Sequence, residues 1–261
     1  MATNDSKKEQ NKDLQTLYQK VYAGGSQNFY TFSSTEESEG VVASGQELWE
    51  GRRVLEVGCG EGNLACRLAM LGASVCAVDF AESAIAICRE KFNLENLEFR
   101  CCSYEDIDEV FDLVVMQGVL EHMDDPLSVL KKLKQDNLKS DGCLITSSPS
   151  FLNPRGYVWM ALVKLFNVPM SLSDLHFLCP FDFEAFAKEL GATLTYTSTN
   201  QDWGHGDKLI FDFRKRLVNA LKDADMDNSG VDAFLEWLSQ TTSFTTYDDF
   251  TGANVVYRLQ F

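Results

Sequence analysis

Short apolar runs alternate with longer segments of helical periodicity from Arg53 onward. Runs rich in Val, Ile and Leu are typical of buried parallel strands, and apolar residues three or four positions apart are typical of amphipathic helices. The predicted strands are 53–57, 74–78, 97–101, 111–116 and 143–147. The predicted helices lie near 62–71, 81–92, 119–122 and 126–137. This alternation indicates a parallel sheet built from right-handed strand–helix–strand units.

The alternation stops after the fifth strand, where an apolar segment bounded by Pro154 and Pro169 follows. We interpret about 148–180 as a cap over the carboxyl edge of the sheet. The elements predicted after it are a helix at 181–190, a helical insertion at about 201–245, and strands at 192–198 and 253–260. The predicted fold is therefore α/β, a Rossmann-like, doubly wound, seven-stranded sheet with helices on both faces, a cap, and a helical insertion before the last strand.

The segment before the first strand has a different character. Residues 1–50 begin with a polar run and include a glycine pair that marks a loop. We interpret 1–50 as an N-terminal flap and 51–261 as one domain that contains the cap and the insertion, because a chain of this length can build one large core. Tyr22 and Tyr30 in the flap are candidates to close over a ligand as a lid.

Composition disfavours several classes of protein and partner. A formal net charge of −16 disfavours nucleic acid as a partner, because nucleic-acid binding needs a basic face that neutralises phosphates. The basic clusters at 131–134 and 214–216 are short, and we interpret them as solvated helix faces. No apolar run reaches the ~18 residues of a membrane span, and the polar start lacks a signal core. We therefore expect a cytoplasmic protein whose eight Cys, without a CxxC pair, are reduced and hold no metal.

The first predicted turn carries candidate ligand-binding residues. The run VLEVGCGEGNLA leaves a strand and opens a helix, so Gly58 and Gly60 lie where the backbone must bend and approach a ligand. Glu56 stands two positions before Gly58, at the strand end that we expect to face the ligand. This carboxylate would repel a dinucleotide pyrophosphate and attract the ammonium and sulfonium of S-adenosylmethionine. The turn therefore favours S-adenosylmethionine over NAD as the cofactor.

Two further strand ends agree with a cofactor that contains a nucleoside. Asp79 ends the second strand 21 positions after the first glycine of the turn, where an acid can accept hydrogen bonds from both ribose hydroxyls. Phe80 beside it would supply an apolar wall. Ser103, Tyr104 and Glu105 follow the third strand, where we expect a main-chain amide and a side-chain oxygen to contact the adenine.

The order of VLEVGCGEG, VCAVD, FDLVVMQGVLEHMDDP and GCLITSSPS resembles the class I S-adenosylmethionine-dependent methyltransferases. Among them, the chain is similar to the ubiquinone-biosynthesis O-methyltransferase group over about residues 53–190. The resemblance implies S-adenosyl-L-methionine as the cofactor and places Ser103 and Tyr104 at its adenine. The other cofactor-binding residues that it implies are Gly58, Cys59, Gly60, Asp79 and Gln117.

Methyl transfer is a displacement at an activated carbon, so the protein mainly aligns the nucleophile and removes its proton where needed. His122, after the fourth strand, is a candidate catalytic residue or a brace for the cofactor pocket. His176, at the end of the cap, either faces the acceptor or caps the following helix. His205, in DWGHGD, is expected to be exposed in a glycine-flanked turn.

The methyl acceptor is the partner that the sequence constrains least. We expect a small metabolite with an O or N nucleophile, apolar or aromatic in part. The cap side chains that bear on it are Tyr157, Trp159, Met160, Leu162, Phe166 and Met170. They line an acceptor pocket, touch a membrane surface peripherally, or pack the cap onto the sheet, which is the favoured interpretation. The alternatives are an RNA or protein methyltransferase that docks through 201–245 and a cofactor-binding regulatory protein without turnover.

A candidate calcium loop lies in the insertion at 225–236. The matching positions are Asp225, Asp227, Ser229, Gly230 and Glu236. The loop is a single copy, and Asp232 occupies its eighth position, where an apolar residue is expected. A capped helix start is therefore favoured over calcium, and no metal site is predicted.

Overall fold

The structure is a computed structural model of the chain. The described residues are 35–45, 47–168, 174–242 and 244–261. Tyr22, Tyr30 and Met170, which the sequence analysis singled out, lie outside the described residues, as does most of the predicted flap. No helix in the described ranges is long and apolar enough to cross a membrane.

One mixed sheet of seven strands forms the centre of the molecule. The strands are β1 (Arg53–Val57), β2 (Ser74–Asp79), β3 (Leu97–Cys101), β4 (Phe111–Gln117), β5 (Leu138–Pro149), β6 (Thr193–Thr199) and β7 (Asn254–Gln260). Their order is β3-β2-β1-β4-β5-β7-β6, and β7 runs antiparallel to both of its neighbours. All residues of β1 and β2 except the first of each are buried, as expected for strands that are covered on both faces. The predicted Rossmann-like, doubly wound sheet is confirmed.

Helices cover both faces of this sheet. The helices are α1 (Glu36–Ser44), α2 (Asn63–Met70), α3 (Glu82–Lys91), α4 (Pro126–Lys132), α5 (Pro154–Phe166), α6 (Pro180–Leu190), α7 (Gln201–His205), α8 (Asp207–Asp223) and α9 (Val231–Thr242). Single 3-10 turns at Tyr104–Asp106 and Leu120–His122 follow β3 and β4. Helices α1, α2 and α3 pack on one face, where Val42, Leu68 and Ile85 join the core. Helices α4 and α6 pack on the other face through Leu130 and Phe183.

The largest departures from the predicted bounds surround the start of β5. The preceding helix ends at Lys132, and the next turn, Leu133–Asn137, has the wider π geometry. Strand β5 then begins at Leu138, which pairs with Phe111 of β4 before a register shift. The prediction placed the strand start at 143, where the apolar run begins. The strand in fact begins five residues earlier, because residues 139–141 are polar and exposed and therefore lack the apolar pattern.

Helix α1 lies within the predicted flap and packs onto the sheet core. Val42 is 7% exposed, and the indole Nε1 of Trp49 donates to its carbonyl at 2.9 Å. The same helix contacts β4, β5, β6 and β7. Its start carries a sequence signal, because Glu36, Glu37 and Glu39 place negative charge in the first turn. Residues 36–44 therefore belong structurally with the sheet.

The cap and the insertion share a hydrophobic core of their own. Trp159 of α5 is fully buried and meets Phe213 of α8 edge-on, with 5.4 Å between the ring centroids. Leu217 of α8 and Leu235 of α9 belong to the same cluster. The interpretation that Trp159 packs the cap onto the sheet is wrong, because its partners come from the insertion. Such a contact between distant segments leaves no local pattern in the sequence.

The other cap side chains differ in exposure. Leu162 packs against the cluster around Trp159, and Met160 is half-buried. Tyr157 is 61% exposed and Phe166 is 58% exposed. These two aromatic side chains are therefore available to an acceptor or to a surface, whereas Trp159 is not.

An ion-pair network connects the same two helices. Asp212 of α8 lies 3.4 Å from the Nε of Arg155 of α5 and 3.2 Å from the Nε of Arg216. Burial lowers the pKa of the Arg155 guanidinium to about 10. Arg216 is thus held in the network, whereas Arg214 and Lys215 are exposed, as predicted for a solvated helix face.

Replacement of Trp159 by Ala tests the shared core of cap and insertion. The free energy of unfolding, measured by urea titration, should fall by about 3–5 kcal/mol, because a large buried aromatic side chain leaves a cavity. Tyr157→Ala removes an exposed aromatic side chain from the same helix and should change the free energy by less than about 0.5 kcal/mol. Equal, small losses for both variants would contradict a packed core at this position.

Candidate functional site

The backbone turns sharply between β1 and α2. Gly58 has a φ of 72° and Gly60 a φ of 51°, values that favour glycine. The N–H of Gly58 donates to the carbonyl of Val78 at 2.8 Å, which holds the loop against the end of β2. A Cβ at Gly58 would lie 2.6 Å from Cγ2 of Val119, so glycine allows the loops after β1 and β4 to approach each other. These loops meet where the strand order reverses, the usual ligand position in open α/β sheets.

Asp79 connects this loop to the end of β2. One carboxylate oxygen accepts from the N–H of Gly60 at 3.0 Å, and the other accepts from the N–H of Ala81 at 2.8 Å. Burial raises the pKa of the Asp79 carboxyl, and the two amide donors partly offset this effect. Phe80, the next residue, is 37% exposed. The carboxylate and the aromatic ring are therefore neighbours at the carboxyl edge, where the sequence analysis placed them.

Glu56 lies beneath the glycine loop and is 2% exposed. Burial raises the pKa of its carboxyl well above the ordinary value, the nearby Cys88 and Asp79 raise it further, and the N–H of Ala65 in α2 lowers it. Cys59, 7% exposed, directs its thiol inward to Cys88. Cys59 therefore presents its main chain to the edge, and the side chain of Glu56, which was expected to face the ligand, is buried.

The turn after β3 is stabilised by its own side chains. The hydroxyl of Ser103 accepts from the N–H of Glu105 at 3.3 Å, and Asp106 accepts from the N–H of Ser103 at 3.1 Å. Tyr104 packs against the sheet core, and burial raises its pKa to about 12. The Ser103 hydroxyl is thus engaged in capping the turn, while Glu105 is exposed to solvent.

Helix α1 reaches the carboxyl edge at the ends of three strands. Gln117 ends β4, and its Oε1 accepts from the hydroxyl of Ser38 at 2.9 Å. Glu37 lies beside Ser147 at the end of β5, Gln117, and Asn254 at the start of β7. Burial raises the pKa of the Glu37 carboxyl, and these three polar side chains partly lower it. Sequence reasoning missed Glu37 and Asn254, because their proximity depends on how α1 docks.

A second acid lies in the turn after β4. Glu121 is 3% exposed, and its Oε2 has no hydrogen-bond partner in the described part of the chain. Burial raises the pKa of its carboxyl well above the ordinary value, its own N–H lowers it, and the charges of Asp174 and Glu37 raise it further. Glu37 and Glu121 therefore lie close enough for their charges to interact.

The two histidines predicted to be catalytic lie at the loop after β4. Nδ1 of His122 is 3.3 Å from a carboxylate oxygen of Asp174. Nε2 of His176 is 3.2 Å from the carbonyl oxygen of Asp124, and the main-chain N–H of His176 donates to the carbonyl of Glu121 at 3.1 Å. The end of the cap is thereby fastened to the loop that carries His122.

The third histidine corrects a prediction. His205 was expected to be exposed but is 1% exposed. Its Nδ1 is 3.0 Å from the hydroxyl of Thr245, and its Nε2 is 2.8 Å from Oε1 of Gln201. The expectation is wrong because the glycine-flanked segment forms α7, which turns the ring inward. Burial also lowers the pKa of His205.

The candidate calcium loop forms a local turn before α9. Asp227 accepts from the N–H of Ser229 and from its hydroxyl, both at 2.9 Å. Glu236 lies on α9. Across the described ranges, no group of three or more His, Cys, Asp or Glu is arranged to hold a metal ion.

Comparison with known proteins agrees with the motif order. The family model described as "Methyltransferase domain" matches residues 48–195. A "Ubiquinone biosynthesis O-methyltransferase" of Acinetobacter baumannii (strain ACICU) is 31% identical over 155 residues, 55% of this chain and 65% of that protein. The protein of the same name in Dinoroseobacter shibae is 32% identical over 177 residues, 61% of this chain and 70% of that protein. The chain thus spans about two thirds of the length of these relatives.

A solved structure shares the fold at low sequence identity. The crystal structure of a cyclopropane-fatty-acyl-phospholipid synthase-like protein from Lactobacillus casei superposes with a TM-score of 0.56 and 18% identity, covering 86% of this chain and 90% of that one. The family match covers more than half of the 261 residues and agrees with the sheet topology and the glycine loop. The chain therefore belongs to the S-adenosylmethionine-dependent methyltransferases.

Proposed function

We propose that this protein transfers a methyl group from S-adenosylmethionine to an oxygen or nitrogen nucleophile of a small metabolite. The observation that carries the proposal is the close approach of the Asp79-anchored glycine loop, at Gly58, to Val119 in the loop between Gln117 and His122. The cofactor supplies an electrophilic methyl group, and the protein binds, aligns and deprotonates the acceptor. Small-molecule acceptors are consistent with a site that is bordered by α1 and the end of the cap.

The residues at the β1 and β2 ends suit the cofactor. Gly58, Cys59 and Gly60 allow its polar chain to approach the main chain closely, because their backbone lies at the edge. Asp79 lies at the strand end where a carboxylate can accept from ribose hydroxyls. The groups proposed around the adenine are Phe80 and the turn of Ser103, Tyr104 and Glu105. Gln117 borders the cofactor on the β4 side, and Glu56 supports the loop from below.

The acceptor side includes a segment outside the family match, helix α1. Residues 48–195 match the family model, whereas α1 and the helices of the insertion lie beyond these limits. The curated relatives are named O-methyltransferases, which supports an oxygen acceptor. Helix α1 adds Glu37 and Ser38 to the carboxyl edge. The acceptor nucleophile of this chain can therefore be nitrogen, unlike the oxygen that the names of the relatives indicate.

His122 is the proposed proton acceptor for the nucleophile. Asp174 lies 3.3 Å from its Nδ1, so the carboxylate can fix the ring and its tautomer. His176 fastens the end of the cap to the same loop through the carbonyls of Asp124 and Glu121. His176 is therefore proposed to position the acceptor side, with a smaller direct effect on proton transfer.

Replacement of Asp79 by Asn tests the cofactor site. Calorimetric titration with S-adenosylmethionine and with its demethylated product should show affinities that are weaker by about ten- to a hundredfold, because hydrogen bonds to a charged group contribute about 1.5–3 kcal/mol. Asp108→Asn, an exposed acid in the loop before β4, is the matched control and should bind like the wild type. Equal affinities for all three proteins would refute the role of Asp79, and a wild type that binds neither compound would refute the proposed function.

Replacement of His122 by Asn tests proton removal. Transfer of tritiated methyl from S-adenosylmethionine to a panel of small phenols, catechols and amines should lose about a hundredfold in kcat, the size of a typical general-base contribution. The affinity for the cofactor should stay within about twofold, because His122 acts on the acceptor. The loss of kcat should be smaller for His176→Asn than for His122→Asn. An unchanged kcat for His122→Asn would assign this ring a bracing role only.

A further inference from the structure

Two acids from different elements meet at the acceptor side of the carboxyl edge. Glu37 comes from the first turn of α1, and Glu121 comes from the turn after β4. Ser38, the neighbour of Glu37, donates to Oε1 of Gln117 at 2.9 Å, and Oε1 of Glu121 lies 3.8 Å from the position that a Cβ would take at Gly118, the residue after Gln117. Oε1 of Glu37 and Oε2 of Glu121 are both buried, and neither has a hydrogen-bond partner in the part of the chain that the structure describes.

No basic side chain neutralises this pair within the described ranges. The charged groups that act on Glu121 are Asp174 and Glu37, and neither Lys nor Arg contributes to the pKa of Glu37 or of Glu121. Asp174 is itself close to His122. Burial of carboxylates without a cation is unfavourable, because desolvation destabilises the charged form. The pair is therefore incomplete without a positive group or protons.

A buried hydroxyl at the same place also lacks a partner. Ser147, at the carboxyl end of β5, is fully buried and lies beside Glu37, but its hydroxyl does not reach hydrogen-bond geometry with any described residue. Buried polar atoms are ordinarily paired, so the orphan oxygens of Ser147, Glu37 and Glu121 indicate a ligand that brings donors. These oxygens come from three separate elements, β5, α1 and the turn after β4.

We propose that the methyl acceptor is a primary amine, bound as its ammonium between Glu37 and Glu121. An ammonium offers three donors and a positive charge, which match three orphan acceptors and two acids, whereas an alcohol offers one donor. This inference rests on the methyltransferase function proposed above and assigns the acceptor class of the same site. Glu37 lies outside residues 48–195, so it does not belong to the part of the chain that matches the methyltransferase family model.

Transfer to this acceptor requires the ammonium to lose one proton, which His122 accepts as proposed above. The nitrogen lone pair then forms the bond to the methyl carbon, while the carbon–sulfur bonding pair stays on sulfur and the sulfonium becomes a thioether. The product is a methylated ammonium, which again carries a positive charge. The proton on His122 leaves to solvent when the product departs.

The first experiment compares amines with alcohols of the same shape. Benzylamine and benzyl alcohol, and 2-phenylethylamine and 2-phenylethanol, are titrated calorimetrically into the full chain saturated with demethylated cofactor. An amine should bind and its alcohol should not. Glu37→Gln and Glu121→Gln should each weaken amine binding about tenfold or more, because a charge-assisted hydrogen bond becomes neutral. Glu184→Gln, an exposed acid on α6, is the matched control and should bind like the wild type.

The second experiment has a readout that does not need a ligand. Because the folded-state pKa of Glu121 is raised, its contribution to stability is fully present below the ordinary Glu pKa and is lost as pH rises through the raised value. The titratable groups around it are Glu37, Asp174, His122 and Tyr257. Glu121→Gln should therefore raise the Tm relative to the wild type, and by more at pH 8 than at pH 5. The Tm of Glu184→Gln should change with pH in the same way as the Tm of the wild type.

Three binding outcomes overturn the inference and leave the methyltransferase function intact. They are equal binding of amines and alcohols, binding of no amine by a wild type that binds the cofactor, and amine binding that neither Gln variant weakens. A Tm that Glu121→Gln lowers equally at both pH values also overturns it, because the carboxylate would then have a structural role. Failure of the wild type to bind S-adenosylmethionine would instead refute the proposed function.

Two further measurements test whether a positive group other than the amine occupies the pair of acids. If the acids served the sulfonium of the cofactor, the Gln variants would lose affinity for S-adenosylmethionine and keep it for the demethylated product, and if they served the ammonium of the cofactor, the variants would lose affinity for both compounds. If they served a divalent cation, millimolar magnesium chloride would raise the Tm of the wild type and not of Glu121→Gln. Either result overturns the amine assignment. The inference expects cofactor affinity within about twofold of the wild type and no magnesium effect.

Discussion

The carboxylate of Asp79 fixes the geometry on which the candidate site depends. One of its oxygens accepts from Gly60 in the loop after β1, and the other accepts from Ala81 at the start of α3. A single side chain thereby sets the distance between two strand ends that parallel pairing has already brought to the same edge. Gly58 adds the third strand end, because only its missing Cβ lets Val119 of the β4 loop come close. The cofactor half of the site is thus defined mainly by backbone and one acid.

This arrangement explains which features could be predicted from the sequence. Strands such as β1 were placed correctly because buried strands form short apolar runs between helices. Asp79 and the glycine loop were predicted because a cofactor site requires fixed residue types at fixed spacing, and the structure brings the two together at one edge of the sheet. The start of β5 at Leu138 and the packing of Trp159 were missed for a common reason. Polar strand ends and contacts between distant segments have no local signature.

The proposed acceptor half of the site could not be predicted from local sequence patterns. Glu37 and Asn254 meet although they are far apart in the chain, and only the docking of α1 against β7 brings them together. His205 shows the same limit, because its ring is buried by partners in α7 and after α9. Sequence reasoning therefore predicts the side of the site that is built from consecutive strand ends. It does not predict the side that is assembled from the first helix, the cap and the insertion.

Many of the buried polar atoms that lack a hydrogen-bond partner in the described part of the chain lie on α1, β5, β7 and the turn after β4. In the described ranges, ten buried side-chain atoms have no hydrogen-bond partner. Six of them belong to Glu37, Glu121, Thr146, Ser147, Ser148 and Tyr257, on α1, the turn after β4, β5 and β7. Folding alone would favour apolar residues at such positions, since an orphan polar atom destabilises the native state. The orphan oxygens of Glu37, Glu121 and Ser147 lie where the acceptor is proposed to bind, and a ligand that brings donors would complete them.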